Sequence, residues 1–308
     1  MVRAFWMRVG QMLLVVWAVV TIVFFILRLT TGDPARLMNA PGTPEEIITR
    51  TRERLGTDQP LLAQYGDYLM GILRGDLGTS FRGSTPVTDA VFDALPNTLM
   101  LAAIAVIVAA ALALLLGSLA ARRPNGLLDR GVLAYVALAQ ATPAFWLAVV
   151  LVLFFSLRLR WFPAIDLTGP RSFVLPVSTL VVTLSPVLIR TVRQSFIETM
   201  GEDFIRAARA RRVPERRLYL VHGLKIAALP LVTLIGLQLG FLLAGAVVVE
   251  AIFNWPGIGK LILDALASRD FPMIQGGVLV AAIAFVLLNL IIDQLYGFLD
   301  PRVRAGSR

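Results

Sequence analysis

The chain has 308 residues, of which 57% are hydrophobic and 16% charged, and its formal net charge is +9. A soluble domain of ordinary composition is about a quarter charged and slightly under half apolar, so these values favour a polytopic membrane protein. The absence of cysteine excludes a disulfide framework and thiolate chemistry, and the single histidine, His222, excludes any two-histidine metal motif.

Apolar stretches long enough to cross a bilayer recur along the sequence. A spanning helix needs roughly 20 mostly apolar residues. The first stretch is too long for a cleaved signal peptide and no small-residue cleavage site follows it, so it is predicted to remain as a span. Pro143 and Pro186 lie within the third and fourth stretches, where proline usually marks a kink. The six predicted spans are Val9–Leu27, Thr98–Leu119, Val132–Leu157, Phe173–Ile189, Ile226–Val249 and Ile274–Tyr296.

The distribution of basic residues predicts the orientation of these spans. Cytoplasmic loops are enriched in lysine and arginine. Outside residues 29–96, most of the lysines and arginines fall on the same predicted side of the membrane as the N-terminus. We therefore predict both termini in the cytoplasm and reject a nucleic-acid partner, because topology explains the positive charge. The chain divides into a tail with the first span (1–28), an extracytoplasmic helical segment (29–96) and a core of five spans (97–308).

The extracytoplasmic segment is predicted to contain two helices. Thr43 and the acids after it suit a helix N-terminus, and Gly56 suits its end. A second, amphipathic helix should follow, and its apolar face would lie on the membrane surface or pack against the spans. A lid with only a structural role is the other interpretation. The apolar face consists of Leu62, Tyr65, Leu69 and Ile72.

Residues 190–225 form the densest run of charge in the chain. Upstream of Pro214, Asp203 is expected to cap a helix that reaches Arg211; downstream, a helix should continue into the fifth span. A short helix with a bare alanine face and a charged rim suits docking into a groove on another protein. A solvated basic loop that only fixes topology is the alternative. The apolar face would be Phe204, Ala207 and Ala208, and the rim Arg206, Arg209 and Arg211.

Polar residues at membrane depth are candidates for a transport pathway. Each could equally hydrogen-bond a neighbouring helix. Asp293 is the one clear acid in a predicted span, and it lies near the cytoplasmic end, where packing or capping is favoured over ion binding. An ion-coupled secondary transporter, which needs ionisable residues near mid-membrane, is therefore the weaker hypothesis. The pathway candidates are Gln140, Thr142, Gln238 and Asn289.

The sequence contains no recognisable catalytic or nucleotide-binding motif. The sequence from Gly257 to Lys260 superficially resembles a phosphate-binding loop, but Asn254 and Leu261 stand where glycine and serine or threonine are required. A membrane-embedded hydrolase would need a nucleophile–base pair, and none is recognisable. We predict no catalytic residue, no metal site and no cofactor.

The charged run and a series of motifs resemble one family. The stretch DFIRAARARRVPERRLYLVHGLKIAALP (203–230) resembles the EAA loop of binding-protein-dependent ABC importer permeases, in the form of the dipeptide, oligopeptide and nickel branch. Arg212 stands at the loop's usual glycine, and Arg206 at the usual acid of the Glu-Ala-Ala run. Other matching motifs are GDPA (32–35), LGTDQPLLAQY (55–65), GDLGTS (75–80), LPNTLMLA (95–102), TPAFWLA (142–148), WFPA (161–164), VVVEAIFNWPGIGKL (247–261), RDFPMIQG (269–276) and LDPRVR (299–304).

The resemblance implies a type I importer permease, a channel-forming subunit of the bacterial cytoplasmic membrane with no ATPase activity of its own. Its implied partners are membrane lipid, a second homologous permease, two cytoplasmic ATPases and an extracytoplasmic binding protein that delivers a short peptide. ATP binding would move the docked helix and switch the spans from inward-open to outward-open. A nickel chelate is the alternative cargo. The implied coupling residues are Asp203, Phe204, Arg206, Ala207, Ala208, Arg209, Arg211, Arg212 and Pro214.

Overall fold

The computed structural model confirms the all-α fold class. It describes residues 2–30, 33, 35–36, 39–40, 42–82, 85–163 and 169–299. Within these ranges the chain is helical, and extended backbone pairs only in an isolated antiparallel bridge between Thr79 and Pro86. The α-helices of eight residues or more are α1 (Val2–Thr30), α2 (Glu45–Leu55), α3 (Leu61–Arg74), α4 (Val87–Ala121), α5 (Leu127–Ala141), α6 (Ala144–Leu151), α7 (Val174–Gly201), α8 (Asp203–Ala210), α9 (Leu224–Ile252), α10 (Ile258–Ser268) and α11 (Phe271–Leu299).

Four helices in the described part of the chain are long and apolar enough to cross a membrane. They are Gly10–Leu29, Val87–Ala121, Pro170–Gly201 and Phe271–Ile291, which contain or largely overlap the predicted first, second, fourth and sixth spans. The predicted fifth span lies in α9, a helix of 29 residues, several of whose side chains are outside the description. The count of six spans and their orientation therefore stay predictions.

The predicted third span is broken at Pro143, where the sequence predicts a kink. Helices α5 and α6 are bent by 101° at a break between them. Thr142 and Pro143 are both extended there, with φ of −90° and −63° and ψ of 118° and 137°. Proline disfavours the helical region for the residue before it and donates no N–H, so α5 ends at this dipeptide. The two helices together provide at most one further span.

The chain divides into two compact units, which we name the first unit (Met1–Thr98 with Pro256–Val286) and the second unit (Leu99–Trp255 with Leu287–Arg308). In the first unit α3 packs against α1. The fully buried ring of Phe24 lies 5.3 Å from the ring of Tyr65 and 5.5 Å from that of Tyr68. The hydroxyls of Thr21 and Tyr65 are hydrogen-bonded at 2.6 Å. Tyr65 of the predicted amphipathic face therefore packs on the first span together with Tyr68, whereas Leu62 is 76% exposed.

Two of the family-like motifs meet in the first unit. Asp270, which is buried, precedes α11 and accepts a hydrogen bond from the backbone N–H of Met273 at 3.4 Å, as a capping residue does. Its carboxylate also accepts the N–H of Phe81 at 3.2 Å and the hydroxyl of Ser80. The GDLGTS loop is thereby fixed to the corner between α10 and α11.

Helix α7 lies at the middle of the second unit. Helices α5, α6 and α9 all pack on it. It also approaches α4 closely, because a Cβ added at Gly117 would lie 2.9 Å from the backbone oxygen of Ile189 and 2.9 Å from the side chain of Val192. Small residues allow membrane helices to pack this closely. Helix α7 continues beyond the predicted fourth span and leads directly to the charged loop.

Candidate coupling site

Helix α8 forms the exposed end of the charged loop. Glu202, with φ of −66° and ψ of 150°, separates it from α7 and occupies the N-cap position without a side-chain hydrogen bond. The prediction that Asp203 caps the helix is therefore wrong by one residue. Asp203 lies in the first turn, where the negative carboxylate interacts favourably with the positive end of the helix dipole. It is 3.4 Å from the guanidinium of Arg206.

The two faces of α8 differ in burial. Ile205 is completely buried, and α8 contacts the end of α7. Phe204 is 45% exposed, Ala207 is exposed and Ala208 is half-buried. Positions i, i+3 and i+4 share a helix face, so Phe204, Ala207 and Ala208 form one accessible apolar patch. The sequence pattern predicts this patch, but it does not reveal that Ile205 of the same helix is buried.

The C-terminus of α8 is closed by a Schellman motif. The N–H of Val213 donates to the carbonyl of Ala208 at 3.1 Å, and the N–H of Arg212 donates to the carbonyl of Arg209 at 2.9 Å. Arg212 adopts φ of +58°, the left-handed conformation that normally selects glycine. The turn expected from the sequence at this position is thus made by a non-glycine residue. Pro214 follows, as is common just after such a helix end.

Two arginines of the predicted rim are bound within the loop. Arg209 donates from Nε to Glu215 at 2.8 Å, and this hydrogen bond raises the pKa of the Arg209 guanidinium. Arg206 donates to the backbone oxygen of Gly201 at 3.1 Å. Arg211 and Arg212 are exposed. The rim charge available to a partner is therefore concentrated at the C-terminal end of α8.

The return segment after Pro214 packs on the end of α7. One helical turn, Glu215–Arg217, and a π-helical stretch, Leu218–Gly223, lead into α9. The rings of Phe196 and Tyr219 stack at 5.6 Å. A Cβ at Gly223 would lie 2.9 Å from the Phe196 ring, so glycine allows this close approach. The return segment is therefore packed closely on α7.

The pathway candidates do not share one environment. The side-chain oxygen of Gln140 accepts a hydrogen bond from Arg190 on α7, and the hydroxyl of Thr142 donates to the carbonyl of Leu138 at 2.8 Å. Gln238 on α9 and Asn289 on α11 are half-buried. For Gln140 the structure gives a helix–helix hydrogen bond, the second of the two interpretations left open by the sequence.

Two acids are buried at positions where the sequence pattern gives no sign of it. Asp129, in the first turn of α5, has a side chain with no exposed surface, and Glu250 on α9 is also fully buried. The side chain of Asp293, the one acid singled out, lies outside the described residues. Burial of Asp129 depends on Arg193, a partner far away in sequence, so no local pattern could have revealed it.

The family is decided by a match over most of the chain. Residues 113–305 match the family described as the inner membrane component of binding-protein-dependent transport systems, and residues 1–102 match its N-terminal component. The chain belongs to this family. It is a permease subunit of an ABC importer in the bacterial inner membrane.

Relatives and solved structures agree with this assignment. The permease is 38% identical over 286 residues to the glutathione transport system permease protein GsiC of Salmonella typhimurium (93% of this chain, 94% of the relative). It is 37% identical over 283 residues to GsiC of Escherichia coli K12 (92% of each).

Among solved structures, the permease resembles the inward-facing MetNI methionine ABC transporter, with a TM-score of 0.56, 20% identity and coverage of 68% of this chain and 96% of that one. A second resemblance is to an amino acid ABC transporter, with a TM-score of 0.50, 16% identity and coverage of 70% and 94%. At these identities the likeness shows the fold, which is that of type I importer permeases.

Proposed function

We propose that this permease forms one half of the membrane pathway of an ATP-driven importer of short peptides. A second, homologous permease would form the other half, and an extracytoplasmic binding protein would deliver the peptide. The cargo class is supported by the relatives, whose names specify glutathione, a tripeptide. Two separate cytoplasmic ATPases would supply the energy, and the permease itself would hydrolyse no ATP.

The accessible patch of α8 is the observation that carries the coupling mechanism. The patch of Phe204, Ala207 and Ala208 is accessible to solvent, while Ile205 of the same helix is completely buried. A helix that exposes an apolar patch is suited to docking into a groove on a partner protein. Closure of the ATPases around ATP would displace α8 and shift the spans from inward-open to outward-open. Nucleotide can do this only by binding the two states with different affinity.

The pathway is proposed to pass the break between α5 and α6. Irregular backbone at membrane depth is tolerated where it is buried in protein or lines a water-filled cavity. Gln140 and Thr142 lie at this break, and Gln238 and Asn289 are the further candidates to line the route. These neutral side chains would not clamp a charged group, so cargo selection would rest largely with the binding protein.

Reconstitution tests this function. The complete transporter in proteoliposomes, with its binding protein, should accumulate labelled glutathione and a labelled dipeptide only when ATP is present on the ATPase side. A nickel–histidine chelate serves as the competing cargo. If the transporter takes up the chelate in preference to the peptides, the cargo is the chelate and not a peptide. Uptake by the permease pair alone, driven by an ion gradient, would overturn the proposal in favour of secondary transport.

A further inference from the structure

Helix α5 is joined to α7 by three polar side-chain contacts among the described residues. Asp129 pairs with Arg193, the hydroxyls of Tyr135 and Ser185 lie 2.8 Å apart, and Gln140 accepts a hydrogen bond from Arg190. Apolar packing completes the interface through the buried side chains on one face of α5. These are Val132, Val136 and Ala139.

The pair of Asp129 and Arg193 is the most constrained of the three contacts. The Asp129 carboxylate has no exposed surface and accepts hydrogen bonds from Nε of Arg193 at 2.6 Å and from Nη2 at 2.8 Å. The N–H of Asn125 donates to the same carboxylate at 2.7 Å. A bidentate arginine–carboxylate pair fixes orientation as well as distance. Sliding or rotation of α5 on α7 would break it.

The positions of the contacts show how α5 lies on α7. Residues from one end of α5 to the other meet a stretch of only about two turns of α7, from Ser185 to Arg193, and not in sequential order. Helix α5 therefore crosses α7 instead of running alongside it. At its far end comes the 101° break that leads to α6, which packs on both α7 and α9.

Stability alone is a weak reason for a buried ion pair. Its desolvation offsets much of the attraction, and well-packed apolar residues can replace such pairs without loss of stability. A buried pair is better suited to fixing the relative register of two elements. Here the elements are α7, which ends directly before α8, and α5, which ends directly before the break.

We propose that Asp129 and Arg193 are positioning residues that make α5 follow α7 when the ATPases move α8. The pair would carry that displacement to the Thr142–Pro143 break and so to the α6 segment of the pathway. This inference rests on the proposed function, since it needs α8 to receive the movement. It assigns a role in energy coupling to two residues that lie outside α8.

The test uses the complete transporter in proteoliposomes and compares three changes at equal protein amounts. Asp129→Asn weakens the pair, the double change Asp129→Leu with Arg193→Met replaces it by apolar packing, and Gln194→Ala removes an exposed 2.7 Å hydrogen bond to Glu198 on the same helix as a control. ATPase association, basal ATP hydrolysis and hydrolysis stimulated by the binding protein are measured for each. The double change keeps the assay informative if Asp129→Asn fails to fold.

The expected result is specific to coupling. Both changes at the pair should retain ATPase association and basal hydrolysis but lower the stimulated rate about tenfold, while the control keeps the parent rate. Stimulated hydrolysis by the double variant within about twofold of the parent would show that the pair acts only through packing and would overturn the inference. Loss of ATPase association in the double variant would overturn it as well. A parent that binds no ATPase would instead refute the proposed function.

Discussion

The backbone N–H of Val213 donates to the carbonyl of Ala208 at 3.1 Å and closes α8 around a left-handed Arg212. The left-handed conformation raises the conformational energy of a residue with a side chain by roughly 1–2 kcal/mol. Glycine adopts this conformation without steric strain but loses more backbone entropy on folding. Arg212→Gly should therefore stabilise the loop by up to about 1 kcal/mol. Arg211→Gly is the matched control, because Arg211 has φ of −82° and gains nothing from glycine.

The measurement is the rate at which chymotrypsin cleaves the loop in the purified permease, because neither change alters an aromatic site. Arg212→Gly should slow cleavage relative to the parent, and Arg211→Gly should speed it. Faster cleavage of the Arg212 variant would show that the left-handed turn is not a constraint in the native loop.

Close packing of α4 on α7 predicts a strong effect at Gly117. A Cβ there meets backbone of α7 at 2.9 Å, so Gly117→Ala must separate the two helices. Overpacking of this kind costs typically about 1–3 kcal/mol. Gly131→Ala on α5 is the control, since nothing lies within 4 Å of an added Cβ, and alanine there should be neutral or stabilising by about 0.5–1 kcal/mol.

Thermal unfolding of the two purified variants in detergent gives the comparison. The Gly117 variant should unfold at a lower temperature than the parent and the Gly131 variant at the same or a higher one. Equal unfolding temperatures would contradict the close α4–α7 contact.

Orientation in the membrane can be tested directly because the chain contains no cysteine. Asp58 and Arg216 are both exposed, and the predicted topology places them on opposite sides. In intact spheroplasts an impermeant maleimide should label Asp58→Cys, and it should label Arg216→Cys only after lysis. Labelling of both from one side would disprove the predicted topology with six spans and both termini in the cytoplasm.

The sequence predicts well those elements that a single physical requirement defines. The apolar length needed to cross a bilayer locates the spans within α1 and α4, although α4 begins at Val87, well before the predicted Thr98. Gly56 ends α2 in the left-handed conformation, as expected. The limits of α8 follow from its composition to within a residue. Each of these signals lies within a short window of the chain.

Other features depend on partners far away in sequence. The break after α5 had a local signal in Pro143, but its bend of 101° exceeds an ordinary kink. Burial of Asp129 requires Arg193 on α7, and Ile205 is buried although it lies in the most charged part of the sequence. Spacing alone therefore could not tell which side of α8 is anchored and which is free.

The accessible patch of α8 predicts the response to substitutions at its surface. Ala208→Trp should clash with a closely fitting partner at a cost of typically about 1–3 kcal/mol, which corresponds to roughly tenfold or more in binding. Phe204→Ala should weaken docking too, by removing its largest apolar side chain. Arg211→Glu should have a smaller effect, since exposed rim charges are partly screened. Arg211 is a cleaner control than Arg209, which is bound to Glu215.

The central claim, that this patch receives the ATPases, is tested most directly by co-purification of the ATPase subunits with each variant at equal membrane levels. Ala208→Trp and Phe204→Ala should each recover markedly less ATPase than the parent, while Arg211→Glu stays close to it and all variants still pair with the second permease. Full recovery of ATPase by both Ala208→Trp and Phe204→Ala would contradict the account and leave the loop as a determinant of topology only.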